Sequence, residues 1–156
     1  TVTSAVAILY VGEPPAIVTQ PESQSAPLGS DVTFNVAASG SEPLHYQWSF
    51  DSVAIGGATL SSLTLAVTNV AQGGPYQVTV SNTAGMVTSA VATLTVLTAP
   101  FVVSNPTNQV VVAGNSAQFT LSAGGTEPLA YQWYFNQTNL LAEATNATLT
   151  LSNACW

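Results

Sequence analysis

The 156-residue chain contains no lysine and no arginine. Its seven carboxylates, Glu13, Glu22, Asp31, Glu42, Asp51, Glu127 and Glu143, leave a net charge of −7. A chain without a cation cannot neutralise phosphates or dock a basic segment on acidic lipid. Nucleic acid and anionic membrane are therefore excluded as partners. Long apolar runs are missing as well. The mean hydropathy is +0.36, yet polar residues interrupt every apolar segment well short of the roughly 18 that a spanning helix needs. With Cys155 as the one cysteine, no disulfide can form within the chain. Residues 1–11 lack the charged start and leucine block of a signal peptide, so a cleaved or truncated start is expected.

What is present is a globular composition. Hydrophobic residues make up 47% of the chain, enough for one or two small domains with proper cores. Solubility must rest on Ser, Thr, Asn, Gln and Gly.

The strongest pattern is an internal repeat. Ser89-Ala-Val-Ala-Thr-Leu-Thr-Val96 repeats Ser4-Ala-Val-Ala-Ile-Leu-Tyr-Val11 at an offset of 85 residues. At the same offset Pro15 corresponds to Pro100, Gly40 to Gly125, Glu42-Pro-Leu44 to Glu127-Pro-Leu129, and Tyr46-Gln-Trp48 to Tyr131-Gln-Trp133. The register shifts by a residue or two only in the loop after Phe50 and Phe135. A period this long suits a whole domain of about 80–100 residues rather than a solenoid unit. The expected organisation is therefore residues 1–12 as the last strand of a truncated upstream copy, 13–98 as a complete domain, and 99–156 as a copy lacking its last two strands. Ala154-Cys-Trp156 fits no part of the repeat. The short linkers Glu13-Pro-Pro15 and Thr98-Ala-Pro100 favour an extended, stiff connection.

Within the complete copy, apolar and polar residues alternate as half-buried antiparallel strands require. The expected core rows are Val32, Phe34, Val36 and Ala38; Tyr46, Trp48 and Phe50; Leu63, Leu65 and Val67; Tyr76, Val78 and Val80; and Ala90, Ala92, Leu94 and Val96. Turn signals separate them, among them Pro27-Leu-Gly29, Gly56-Gly57, Gly73-Gly-Pro75 and Asn82-Thr-Ala-Gly85. The sum is an all-β antiparallel sandwich in tandem copies.

Trp48 on the third core strand, with Tyr76 two residues before the buried Val78, resembles the immunoglobulin pattern. The strings Val32-Thr-Phe-Asn-Val36, Tyr46-Gln-Trp48, Ser62-Leu-Thr-Leu65, Tyr76-Gln-Val-Thr-Val-Ser-Asn82 and Ala84-Gly85 together resemble the I-set-type immunoglobulin-like repeats of large bacterial surface and secreted proteins. The resemblance implies an extracellular, non-catalytic module. The two positions of the family's inter-sheet disulfide are Val36 and Val78 here, and Leu121 takes the first position in the later copy. Loss of such a bridge costs about 2–5 kcal/mol, and burying the two valines returns roughly 1.5–3 kcal/mol each, so a disulfide-free core is expected. The acidic residue that often precedes the tyrosine is replaced by Gln72-Gly-Gly-Pro75.

No catalytic, cofactor-binding or metal site is legible. His45 has Ala130 as its counterpart and falls on the face opposite Trp48, as a surface histidine. Asp31, Glu42, Asp51 and Glu127 stand singly and offer no calcium-loop spacing; Glu42 and Glu127 are read as parts of a turn before proline. Cys155 has no neighbouring base, and no serine lies in a nucleophile elbow. The sequons Asn136-Gln-Thr138 and Asn146-Ala-Thr148 are read as chance occurrences. Tyr10 and Tyr134 face away from the core rows and are too few for a sugar-stacking platform, whereas Tyr46, Trp48, Phe50, Tyr131, Trp133 and Phe135 are expected in the core.

Three roles follow in order of preference. The first is a structural or adhesive spacer in an extracellular or cell-surface protein, whose partners are its neighbouring domains and a protein or glycan at the surface. The second is an accessory module of a secreted polysaccharide-active or proteolytic enzyme. The third is a ligand-recognition module using loops or a sheet edge. A monomer is expected; donation of residues 1–11 to the incomplete copy of another chain is geometrically conceivable but disfavoured, because it supplies one of two absent strands.

Overall fold

The structure, a computed structural model, describes residues 2–8 and 11–154. The chain divides into two compact units, Thr1–Val96 and Leu97–Trp156.

In the first unit, residues 2–8 are exposed and carry no strand. The sandwich begins at β1 (Ala16–Thr19), β2 (Gln24–Pro27), β3 (Asp31–Asn35) and β4 (Ala37–Ser39). It continues through β5 (His45–Phe50), β6 (Val53–Ala54) and β7 (Ser62–Ala66). A 3₁₀ turn over Val70–Gln72 leads into β8 (Gly74–Asn82), β9 (Gly85–Thr88) and β10 (Ala92–Leu97). One layer holds the antiparallel pairs β1–β4 and β3–β7. The other is a sheet in the order β2-β10-β8-β5-β6, with β9 also on β8.

Period-2 alternation is what closes these layers on each other. Val32, Phe34 and Val36 from one side meet Trp48, Tyr76, Val78, Val80, Ala92 and Leu94 from the other, all buried. The Phe34 ring lies 5.1 Å from Tyr76 and 6.2 Å from Trp48, centroid to centroid. Val36 and Val78 are buried at the positions where the resemblance would place a bridge. The β5–β6 hairpin turns on Asp51 and Ser52, both with positive φ (47° and 66°), the two-residue geometry that matches strand twist.

One core row departs from strict alternation. Ala90 is exposed and Ser89 is buried in its place. β9 pairs Thr79 with Thr88, whereas β10 pairs Tyr76 with Ala92. Gln77 and Val78 thus face the three residues Ser89, Ala90 and Val91, a bulge with one extra residue. The extra residue flips the inward parity, so Val87 and Ser89 point in before it and Ala92 and Leu94 after it.

The second unit repeats the first where it has the residues to do so. β11 (Phe101–Ser104) pairs with β13 (Ser122–Gly124), and β12 (Ala117–Thr120) pairs with β16 (Thr148–Leu151). The register shift between Ile17 and Thr19 recurs between Val102 and Ser104, one offset on. β14 (Tyr134–Phe135) and β15 (Asn139–Leu140) form a hairpin whose loop holds three residues rather than two, which accounts for the slip in the repeat after Phe135.

Expectation and structure part at the aromatic strand. Tyr131 and Trp133 carry no strand and are half-buried, and Phe135 is 58% exposed rather than in the core. In the first unit β5 is held along its whole length by β8, Tyr46 facing Val80 and Phe50 facing Tyr76. Among the described residues of the second unit no strand stands where β8, β9 and β10 stand in the first. A strand needs a ladder partner, and a core row needs an opposite wall.

Candidate functional site

The residues singled out for chemistry do not converge. His45 is exposed and sits opposite Ser81 on the outer face. Asp31 is exposed on β3, and Asp51 occupies the hairpin turn. Among the described residues no three of His, Cys, Asp and Glu come together. Cys155 and Tyr10 lie outside the described residues. Asn136 and Asn146 are exposed, and the Asn146 carbonyl accepts a hydrogen bond from Trp133 Nε1 at 2.9 Å. Tyr134 is exposed, as its parity required.

Glu42 and Glu127 have a structural task in both copies. Each carboxylate accepts the backbone N–H two residues on, from Leu44 and from Leu129, both at 3.0 Å. The side chain thereby closes the turn around the intervening proline.

The second unit carries a groove of about 360 Å³ lined by Phe101, Leu121, Ala123, Leu129, Tyr131 and Trp133 among others. All of these but Phe101 correspond, one offset back, to residues in or packed against the core of the first unit: Val36, Ala38, Leu44, Tyr46 and Trp48. The groove is the inner wall of a sandwich half, lined by core side chains with no charged group among its residues. It has the chemistry of a packing seam rather than of an active centre.

A network that sequence reading passed over stands at the corner before β8. Asn69 caps the 3₁₀ turn by accepting from Ala71 N at 2.9 Å. Gln72 Oε1 accepts from the N–H groups of Thr68 and Asn69, and its Nε2 donates to the Ala66 carbonyl. Tyr76 then donates its hydroxyl to the Gln72 carbonyl at 2.8 Å. Where the resemblance would place an acidic residue that forms an ion pair, this segment carries an uncharged amide that closes the corner by hydrogen bonds to backbone. The signal was readable as Asn69-x-x-Gln72, a capping box.

Burial pushes the Tyr76 phenol above its usual value. The unfolded state then loses its proton first, near pH 10, while the folded state still holds it, so this contribution to stability is intact below that pH and falls as pH rises beyond it. Tyr76→Phe should flatten that alkaline decline while lowering stability at pH 7 by about 1 kcal/mol through the lost hydrogen bond. Urea unfolding at pH 7 and pH 11 measures both effects; an unchanged alkaline slope in the variant would assign the decline to another group.

The first unit has the immunoglobulin-like fold, all-β and without a disulfide among the described residues. Residues 14–82 match the family model described as immunoglobulin domain. Over 124 residues, 76% of the chain, the sequence is 32% identical to endoglucanase C of Cellulomonas fimi, and it spans 11% of that protein's length. Among solved structures it is similar to an I-band fragment from titin, with a TM-score of 0.67 and 22% identity, covering 91% of this chain and 56% of that one. Sidekick-1 immunoglobulin domains 1–4 match with a TM-score of 0.67 and 19% identity over 94% of this chain and 43% of that one. At these identities the structural likeness speaks to fold alone.

Proposed function

We propose that the chain is a non-catalytic spacer segment of a larger bacterial extracellular protein, a string of immunoglobulin-like copies that holds other domains apart. The observation that carries this reading is the repetition. Two units at one fixed offset reproduce the same bulged strand pair, the same glutamate-closed turn and the same tryptophan hydrogen bond. What the copies share is scaffolding, whereas His45, the one imidazole, is not repeated. A surface free of cations and rich in neutral hydroxyls and amides suits an exposed linker segment that must not associate with nucleic acid or membranes. We take the chain to be monomeric.

A second reading has a specific observation behind it. Similarity to a stretch of an endoglucanase favours these copies as accessory modules beside a catalytic domain of an exported polysaccharide-active enzyme. Both readings make the domains spacers, and they differ in the neighbour.

The test is thermal unfolding with and without soluble cello-oligosaccharides. A spacer should show no change in Tm. A recognition module at a ligand concentration 100 times its Kd should gain about 2.7 kcal/mol, a rise of several degrees for a domain this size. Such a rise would replace the spacer reading with a binding one.

A further inference from the structure

The linkers entering the two units carry different side chains, yet they are fastened in the same way. In the first, Glu13 N donates to Ser41 Oγ at 2.8 Å and Ser41 N donates back to the Glu13 carbonyl at 3.1 Å. In the second, Thr98 N donates to Thr126 Oγ1 at 2.7 Å and Thr126 N donates back to the Thr98 carbonyl at 3.1 Å. Each pair lies one 85-residue offset from the other. In the reciprocal pair common to both copies the linker contributes backbone and the domain one hydroxyl and one amide; in the second copy Thr98 Oγ1 also lies 3.4 Å from Thr126 Oγ1.

Beside each hydroxyl stands a glycine with positive φ, Gly40 at 141° and Gly125 at 136°. A Cβ at Gly40 would lie 3.0 Å from Pro15 Cα and 3.1 Å from the Pro14 carbonyl oxygen. At Gly125 it would lie 2.9 Å from Pro100 Cα and 3.1 Å from the Ala99 carbonyl oxygen. Glycine is what lets the linker backbone lie close enough for the reciprocal pair to form. In the first unit Asn82 adds a second layer. Its Nδ2 donates to the carbonyls of Glu13 and Ser41, at 2.7 and 2.9 Å, while its Oδ1 accepts from Ala84 N and Gly85 N. All four hydrogen-bonding sites of that amide are used.

We infer that Gly40-Ser41 and Gly125-Thr126 are linker latches, in which a domain hydroxyl takes hold of the backbone of the linker that leads into it and makes that linker part of the following domain. This deepens the spacer reading and rests on it. A Gly-hydroxyl pair that holds a linker by its backbone tolerates any linker side chain, which explains how Glu13 and Thr98 serve alike.

Amide hydrogen exchange by NMR on the full chain tests this directly, because it reads Glu13 and Thr98 individually. Both amides should exchange at least 10-fold more slowly than in an unstructured peptide. Ser41→Ala should release Glu13, and Thr126→Val, nearly isosteric, should release Thr98, each by about 10-fold or more. Ser41→Thr and Thr126→Ser keep the hydroxyl and should keep the protection. The Trp48 amide, bonded to the Ala58 carbonyl at 3.0 Å, reports whether the first unit remains folded, and Thr126→Val tests the second copy independently should Ser41→Ala unfold the first. Free-peptide exchange at Glu13 and Thr98 in the unaltered chain, or protection that survives loss of the hydroxyl, would overturn the latch. Neither result depends on the Tm experiment, so the spacer reading can fail separately.

Discussion

Trp48→Ala should lower the stability of the first unit by about 3–5 kcal/mol, the cost of deleting a large aromatic from a closed core. Trp48 is fully buried, packs against Phe34 and donates its indole N–H to the Leu60 carbonyl at 2.9 Å. Against the roughly 5–15 kcal/mol of a typical domain this is about a fifth or more of the total. Trp133 is the matched control. It makes the same indole hydrogen bond at the same distance, to the Asn146 carbonyl, but it is only half-buried. Trp133→Ala should therefore cost about 1 kcal/mol, mostly the hydrogen bond. Amide exchange within each unit measures the two costs separately. Equal losses in both would show that the indole bond, and not closure of the sandwich by β8 and β10, accounts for the importance of this tryptophan.

The bulge on the last strand yields the second large effect. Ser89 is 5% exposed; its hydroxyl accepts from Val78 N at 3.1 Å and donates to the Ala90 carbonyl at 2.8 Å. At the extra residue the ladder alone does not satisfy Val78 N–H, so the side chain stands in for a backbone acceptor. Ser89→Ala would leave that buried N–H unpaired and should cost about 1–3 kcal/mol. Ser23→Ala is the contrast: it removes an acceptor for Thr93 N at 2.9 Å in an exposed position, where water replaces it, and should cost no more than about 0.5 kcal/mol. Chemical denaturation of both variants decides the matter, and a neutral Ser89→Ala would mean that the strand slips its register to recover the bond.

Sandwich class, the 85-residue copies, the buried Val36 and Val78 and the central place of Trp48 were all legible in the sequence, because alternation and repetition are local and each strand carries its own period. The outward His45 and the turn role of Glu42 and Glu127 were legible for the same reason: parity along a strand, and an acid ahead of Pro-Leu at one offset. The Gln72 network has its own local signature, Asn69-x-x-Gln72, next to the position of the missing acid.

Other features had no local signature. Ser89-Ala-Val-Ala92 reads as unbroken alternation, and only the register of β8 against both β9 and β10 reveals that one residue is extra and that a serine, not an alanine, points inward. Tyr131-Gln-Trp-Tyr-Phe135 is nearly the same string as Tyr46-Gln-Trp-Ser-Phe50, yet one copy is a half-open wall and the other a closed core. The latches are invisible in sequence, since three of their four groups are backbone and the linker residues differ. By itself the sequence determined which residues can be strands and which faces they offer, a matter of side-chain period. The tertiary structure decided which of those faces are covered and which backbone groups are held, because burial and hydrogen-bond pairing depend on a partner supplied from elsewhere in the chain.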